Sequence, residues 1–194
     1  MPRASRTDAE KHRQAVVASA ARLFRERGLH GVSIPEIMAD ASLTHGGFYR
    51  NFESKDELAG EACARAFDEL DAMTVDITDR HVSDSAGWRE FVETYLSPSH
   101  RDGRGTGCPA AGLCTDVARE APKSGVRRAY VGGVQRVVRR LSHLLSRIGD
   151  RSERRDDTLA KYATLVGALV LSRATRGEPI SDDILAAARR TLLT

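Results

Sequence analysis

Residues 41–58 read ASLTHGGFYRNFESKDEL, and the parsing of this stretch decides the fold. Gly46 and Gly47 stand side by side where the surrounding spacing is helical, although a glycine inside a helix costs about 1 kcal/mol relative to alanine. They lead into Phe48, Tyr49 and Arg50, an aromatic and basic cluster that a solvated loop has little use for. Upstream, Ser33-x-x-Glu36 is a capping box, and Pro35 suits a first helical turn because its missing N–H would have had no intrahelical partner. Downstream, Ser54-x-x-Glu57 repeats the start signal ahead of LAGEACARAF, as Thr7 with Glu10 does near the beginning. After the turn ASL there is room for one short helix, with Thr44 as its N-cap.

The rest of the chain has the same periodicity. In the first helix Val16, Ala20, Leu23, Phe24 and Arg27 follow the three- and four-residue spacing, and Gly28 stands where a C-terminal glycine is expected. The β-branched alternation of strands is missing, so the sequence predicts an all-α protein. Further helices are expected near 55–80, 84–97, 109–120, 124–148, 153–176 and 181–193. SPSHRDGRGTG, residues 97–107, reads as the mobile connection.

With 41% hydrophobic and 29% charged residues, the 194-residue chain belongs with globular proteins rather than disordered or membrane-embedded ones. Its apolar run LVGALVL, residues 165–171, is far shorter than the roughly 20 residues a bilayer span needs. No apolar signal segment follows the basic start, and Cys63, Cys108 and Cys114 form no paired framework, so the expectation is a cytoplasmic protein with free thiols. A net charge of +3 identifies no partner by itself, but residues 1–27 hold seven Lys and Arg against three Asp and Glu.

A helix, a three-residue turn and a second short helix make the geometry of helix-turn-helix DNA readers, whose second helix enters the major groove. Here the two would be residues 34–40 and 45–50, around a small core of Val32, Ile37, Ala41, Leu43 and Phe48. The paired glycines then acquire a purpose, letting the backbone approach DNA at the start of the reading helix. From about Arg13 to Leu58 the chain resembles the TetR/AcrR (tetracycline-repressor-like) family of bacterial transcription regulators. The carriers are LF-x-x-x-G, S-I-x-x-I, the turn, T-x-G-x-F-Y-x-x-F and S-K-x-x-L within AARLFRERGLHGVSIPEIMADASLTHGGFYRNFESKDEL.

The resemblance implies an N-terminal three-helix DNA-binding domain, residues 1–56, and a C-terminal helical ligand-binding and dimerisation domain, residues 57–194. It implies DNA contacts at Ser33, Thr44, His45, Gly46, Gly47, Tyr49, Arg50 and Lys55, with the Tyr49 hydroxyl on a phosphate, His45 at a base edge or phosphate, and Lys55 on the backbone. Phe48 and Phe52 read as packing residues. Ser42 departs from the family, which often has glycine in the turn; at positive φ a serine there would cost on the order of 1 kcal/mol.

In such a regulator the C-terminal helices take up a small-molecule effector, and Trp88, Phe91, Tyr95, Cys108, Leu113 and Tyr130 are nominated to line that site. The stripe Tyr130, Val134, Val137, Val138, Leu141, Leu145 and Ile148, with the wide apolar arc of 153–176, suggests a homodimer sealed by the helices near 124–148 and 153–176. Cys108 precedes Pro109, so it would cap a helix whose dipole, with Arg101 and Arg104 nearby, lowers the thiol pKa; a redox- or electrophile-sensing regulator is the alternative reading. GRGTG, residues 103–107, follows no strand and lacks the spacing of a nucleotide-binding loop. Spacing suggests no catalytic set, metal site or cofactor, and an enzyme built in the helical body is the remaining alternative. The expectation is a ligand-responsive repressor that binds double-stranded operator DNA as a homodimer, is released by a small molecule and has no membrane partner.

Overall fold

A computed structural model describes residues 6–81, 85–147 and 155–194. Among the described residues every regular element is helical. They are α1 (Arg6–Arg27), α2 (Ile34–Asp40), a 3-10 segment (His45–Arg50), α3 (Lys55–Arg80), α4 (Ala86–Tyr95), α5 (Pro98–Asp102), α6 (Pro109–Val117), α7 (Gly125–Leu145), α8 (Arg155–Ala174) and α9 (Pro179–Leu193).

Local signals explain most boundaries. Gly28 sits at φ +80 and closes α1, its N–H returning to the Phe24 carbonyl at 2.9 Å. Ser33 completes a capping box at α2: its hydroxyl accepts from the Glu36 N–H, and the Glu36 carboxylate takes the Ser33 N–H at 2.8 Å. At α3 the box is half formed. Ser54 accepts from the Glu57 N–H at 3.1 Å, but the Glu57 carboxylate takes the N–H of Glu53 instead. Thr7, expected as a cap, lies inside α1.

Val16, Ala20, Leu23 and Phe24 of α1 pack with Val32, Ile37, Phe48 and Phe52 into the core of the N-terminal head. The head is not separate from the body, because α1 also lies against α3 and α6. Arg25, whose side chain is only 3% exposed, joins them: Nη1 donates to the Gly107 carbonyl at 3.1 Å and Nη2 to Glu69 at 2.6 Å. At the end of α1 the Asp116 carboxylate accepts the Leu29 N–H at 2.7 Å.

Residues 97–107 are not the mobile connection that their composition suggests. Ser97 caps α5, and Arg104–Thr106 forms a 3-10 turn against α1. Arg101 reaches Asp182 at 2.6 Å and Ser181 at 2.9 Å, while Arg173 donates to the carbonyls of His100 and Arg101 at 3.1 Å each. Tertiary hydrogen bonds of this kind leave no signature in local composition.

The apolar stripe of α7 is largely spent inside the body. Val137, Val138, Leu141 and Leu145 are buried, and the helix lies along α3. Ile148 falls outside the described residues. Apolar surface left open lies on α7, where Val131 is 47% exposed, on α8, where Leu159 is 41% and Leu171 56% exposed, and on α9, where Ile180 is 54% exposed. A Cβ on Gly167 would meet no atom within 4 Å. No helix among the described residues is long and apolar enough to cross a membrane.

Candidate nucleic-acid interface

The turn after α2 is a Schellman motif. Leu43 N–H bonds the Met38 carbonyl at 2.8 Å and Ser42 N–H the Ala39 carbonyl at 3.0 Å. That geometry forces a left-handed residue after the cap, and Ser42, at φ 58, is the one non-glycine residue described with positive φ. The turn is therefore built as a glycine-type turn with serine in it, under the strain that the missing glycine implies.

The segment after the turn is a 3-10 helix rather than an α-helix, with Gly47 N–H bonding the Thr44 carbonyl at 3.0 Å. Thr44 has the extended backbone of an N-cap but makes no side-chain cap bond, so its hydroxyl is left facing outward on an exposed residue. Phe48 is 0% exposed and anchors the segment, ring to ring with Phe52 at 5.5 Å and edge-on to Tyr49 at 5.1 Å. Arg13 lies over Phe52, 4.8 Å from its centroid. Asn51 clasps the last turn through Nδ2 to the Gly47 carbonyl at 2.9 Å.

With Phe48 pinned inward, its neighbours point out. His45, Tyr49 and Arg50 are exposed, Tyr49 by 68%, and none of their polar groups has a hydrogen-bond or ion-pair partner among the described residues. The glycines between them answer to no internal demand. Neither Gly46 nor Gly47 has positive φ, nothing lies within 4 Å of a Cβ placed on Gly46, and one on Gly47 would make ordinary contact with Met38 at 3.5 Å. A residue that could be larger without touching its own protein, kept small beside bare hydrogen-bonding and cationic groups, fits a surface shaped for a close external partner.

Ser33 and Lys55 lie on the same head but are engaged differently. The Ser33 hydroxyl is exposed and committed to the capping box, donating to Glu36 at 2.6 Å; that hydroxyl, then the Ser33 backbone N–H, holds the Glu36 carboxyl below its usual range. Lys55 opens α3 half-buried, with Nζ donating to the Val32 carbonyl at 2.6 Å above the Phe24 ring, and burial pulls its pKa down. Its ammonium thus splints the head rather than standing free beside Tyr49.

In the body the six nominated effector residues stand on α4 (Trp88, Phe91 and Tyr95), at the N-cap of α6 and within it (Cys108 and Leu113), and on α7 (Tyr130). Trp88, Phe91 and Tyr95 stack along α4, and the Trp88 indole N–H is held by the Leu192 carbonyl at 2.8 Å. Leu113 is buried and Tyr130 half-buried, its hydroxyl on the Ala110 carbonyl at 3.0 Å. Cys108 stands at the N-cap of α6 as expected, but the predicted activation does not follow. Its residue is 0% exposed, and burial pushes the thiol pKa up rather than down. Arg101 is tied to Asp102 and Asp182, and Arg104 is exposed. Burial pushes the Cys63 thiol up as well, to about 12.

Sequence reasoning missed Arg25. The signal was there, a cation four residues after Ala21 on the buried face of α1, but an arginine in a basic segment reads as solvated.

Residues 16–62 match the model of bacterial regulatory proteins of the tetR family. Over 58 residues, 30% of this chain, it is 36% identical to the HTH-type transcriptional repressor DhaR of Mycobacterium sp. (strain GP1), and over 86 residues, 43% of the chain, 38% identical to the Transposon Tn10 TetC protein of Escherichia coli. The matched segments span 29% and 42% of those two relatives. A TetR transcriptional regulator from Chloroflexus aurantiacus superposes with a TM-score of 0.77 at 27% identity, covering 95% of this chain and 93% of that one.

Proposed function

The chain belongs to the TetR family of bacterial transcription regulators, and from that premise we propose that it is a repressor that binds operator DNA as a homodimer and lets go when a small-molecule effector enters its helical body. One observation carries the DNA-binding half of this reading: Thr44, His45, Tyr49 and Arg50 stand exposed and unpartnered around two glycines that nothing in the protein requires. Tyr49 and Arg50 supply phosphate contacts, which dominate affinity, and His45 with Thr44 supplies base-edge contacts, which select sequence. Ser33 and Lys55 act on this surface by fixing α2 and the turn. The reading head is residues 1–56 and the effector and dimerisation body residues 57–194, working on DNA in the cytoplasm.

For the dimer, the two helices near 124–148 and 153–176 suggested by sequence are the proposed seam, with the open apolar stripe of α8 at its centre. Leu159, Ala163, Val166, Gly167, Val170 and Leu171 recur at helical spacing on one side, with Ile180 beside them, and a second copy of the same stripe is its self-complementary cover.

The experiment is fluorescence anisotropy on the promoter-proximal duplex, with His45→Ala and Tyr49→Ala. Each variant is expected to lose about tenfold or more in affinity, as the loss of a base or phosphate contact worth 1–3 kcal/mol requires, with an unchanged melting temperature because both side chains are exposed. Wild-type affinity in both would remove the assignment.

A further inference from the structure

Gly107 and Cys108 share one peptide bond, and both of its polar ends are held. Its carbonyl accepts from Arg25 Nη1 of α1 at 3.1 Å, and its N–H donates to His100 Nε2 at 2.9 Å. A trans peptide is a rigid plane whose C=O and N–H point in opposite directions, so the two bonds together fix its rotation just ahead of α6.

The partners of His100 decide where its proton sits. Nδ1 faces the Tyr95 carbonyl at 2.6 Å, and a carbonyl only accepts, so Nδ1 carries the proton. Nε2 faces a backbone N–H, which only donates, so Nε2 is bare. The clasp therefore needs the neutral ring in one tautomer. A second proton would set N–H against N–H at Nε2 and place a cation beside the Arg173 guanidinium of α8, which donates to the His100 and Arg101 carbonyls at 3.1 Å each. Burial, helped by Arg173 and opposed by the Tyr95 carbonyl, holds the ring below the usual histidine range. The other groups around it are Tyr95 of α4, with 4.8 Å between ring centroids, and Cys108 at the start of α6. Within α5, Arg101 is taken by Asp102 and by Asp182 of α9; Arg104 of the next turn is exposed; and Arg25, behind Gly107, is taken by Glu69 of α3. The carboxylates of this neighbourhood are thus already paired with arginines.

We propose that His100 is a positioning residue for operator binding: its neutral ring, protonated at Nδ1, holds the Gly107–Cys108 peptide where it anchors Arg25, and a second proton frees that peptide and lowers operator affinity. Arg25 carries the effect onward, because its Nε is bound to the Ala21 carbonyl of α1 at 2.9 Å and α1 supplies much of the core of the head. When the peptide plane turns, α1 loses one of its ties to the body. The clasped state binds fewer protons than the released one, so the clasp is fully effective above the ordinary histidine value of about 6.5 and is lost as pH falls from there toward the lowered one. The positioning role rests on the operator-binding reading above; the tautomer of His100 does not.

The test follows operator anisotropy of the full-length protein between about pH 7.5 and about pH 5.5, either side of the ordinary histidine value, at constant ionic strength. Imidazole nitrogen NMR on the histidine-labelled protein runs beside it. Wild type is expected to lose about tenfold in affinity across that range, the limit that one proton on an ordinary histidine sets, and to show His100 neutral with its proton on Nδ1 at the upper pH. The sign is diagnostic, because a proton on exposed His45 adds positive charge at the DNA surface and acts the other way. His100→Gln keeps an acceptor for the Cys108 N–H but cannot titrate, and is expected to show no fall in acid, whatever its affinity at the upper pH. An equal acid fall in wild type and His100→Gln, or none in wild type, overturns the positioning role. A His100 ring protonated at Nε2 at the upper pH overturns the clasp itself, whether or not the variant folds. If wild type binds no duplex at any pH, the operator-binding reading fails instead, and the tautomer still decides the clasp.

Discussion

The segments 44–50 and 97–107 are both rich in small and polar residues, both short, and both interrupted by glycines, yet their glycines serve opposite ends. In the first, a Cβ on Gly46 would meet nothing within 4 Å. In the second, a Cβ on Gly105 would fall on the Glu26 carboxylate and the Arg22 side chain, and one on Gly107 on the Arg173 guanidinium. The first pair is small with no demand from its own protein, and the second because α1 and Arg173 already occupy the space. Composition alone cannot distinguish an external constraint from an internal one; what surrounds the missing Cβ can.

The contrast breaks most visibly at Gly107. Its backbone, φ −82 and ψ −173, is open to any residue, so Gly107→Ala tests packing and not conformation. The added methyl displaces Arg173 from its carbonyl partners and comes to 3.0 Å from the Gly103 carbonyl, which is backbone and cannot swing aside. Overpacking together with a strained hydrogen-bond cluster is expected to cost about 2 kcal/mol, read as a lower denaturant midpoint with an unchanged slope. A melting curve identical to wild type would mean that the 97–107 segment is looser than its contacts indicate.

Gly46→Ala is the mirror experiment. The folded protein has room for the methyl, and the unfolded chain loses freedom, so stability is expected to stay level or to rise by about 0.5 kcal/mol. Operator affinity is expected to fall about tenfold, some 1.4 kcal/mol, as the methyl holds the backbone off the groove floor. Equal loss of stability at Gly46 and Gly107 would erase the distinction between the two segments.

The same division explains what was legible in the sequence. The starts of α2 and α3 and the end of α1 depend on Ser33, Pro35, Glu36, Ser54 and Gly28 acting within one turn of themselves, so a local reading finds them. The inward and outward sides of the reading segment follow from Phe48 and Tyr49 being neighbours on a tight helix, again a local matter. The order in 97–107 depends on Asp182 and Arg173, more than 70 residues away in sequence. An amphipathic stripe records that a helix is covered but not by what, and on α7 much of that cover is α3 of the same chain. The direction of Lys55 and the state of Cys108 are likewise decided by what the sequence does not order, Val32 and Phe24 for one, complete burial for the other.

Ser42 sharpens the comparison from a third side, because there a glycine is wanted for conformation and is absent. The Schellman bonds from Leu43 and Ser42 fix a left-handed residue between α2 and the reading segment, and serine holds φ 58 at a cost of about 1 kcal/mol that glycine would not incur. Glycine also loses more freedom on folding, which offsets part of the gain. Ser42→Gly is therefore expected to stabilise the head by a net of about 0.5 kcal/mol, measured as a small rise in melting temperature. Operator affinity should hardly move, since the turn geometry is already the one that glycine prefers. A destabilised variant would show that the Ser42 side chain contributes more than its strained backbone costs.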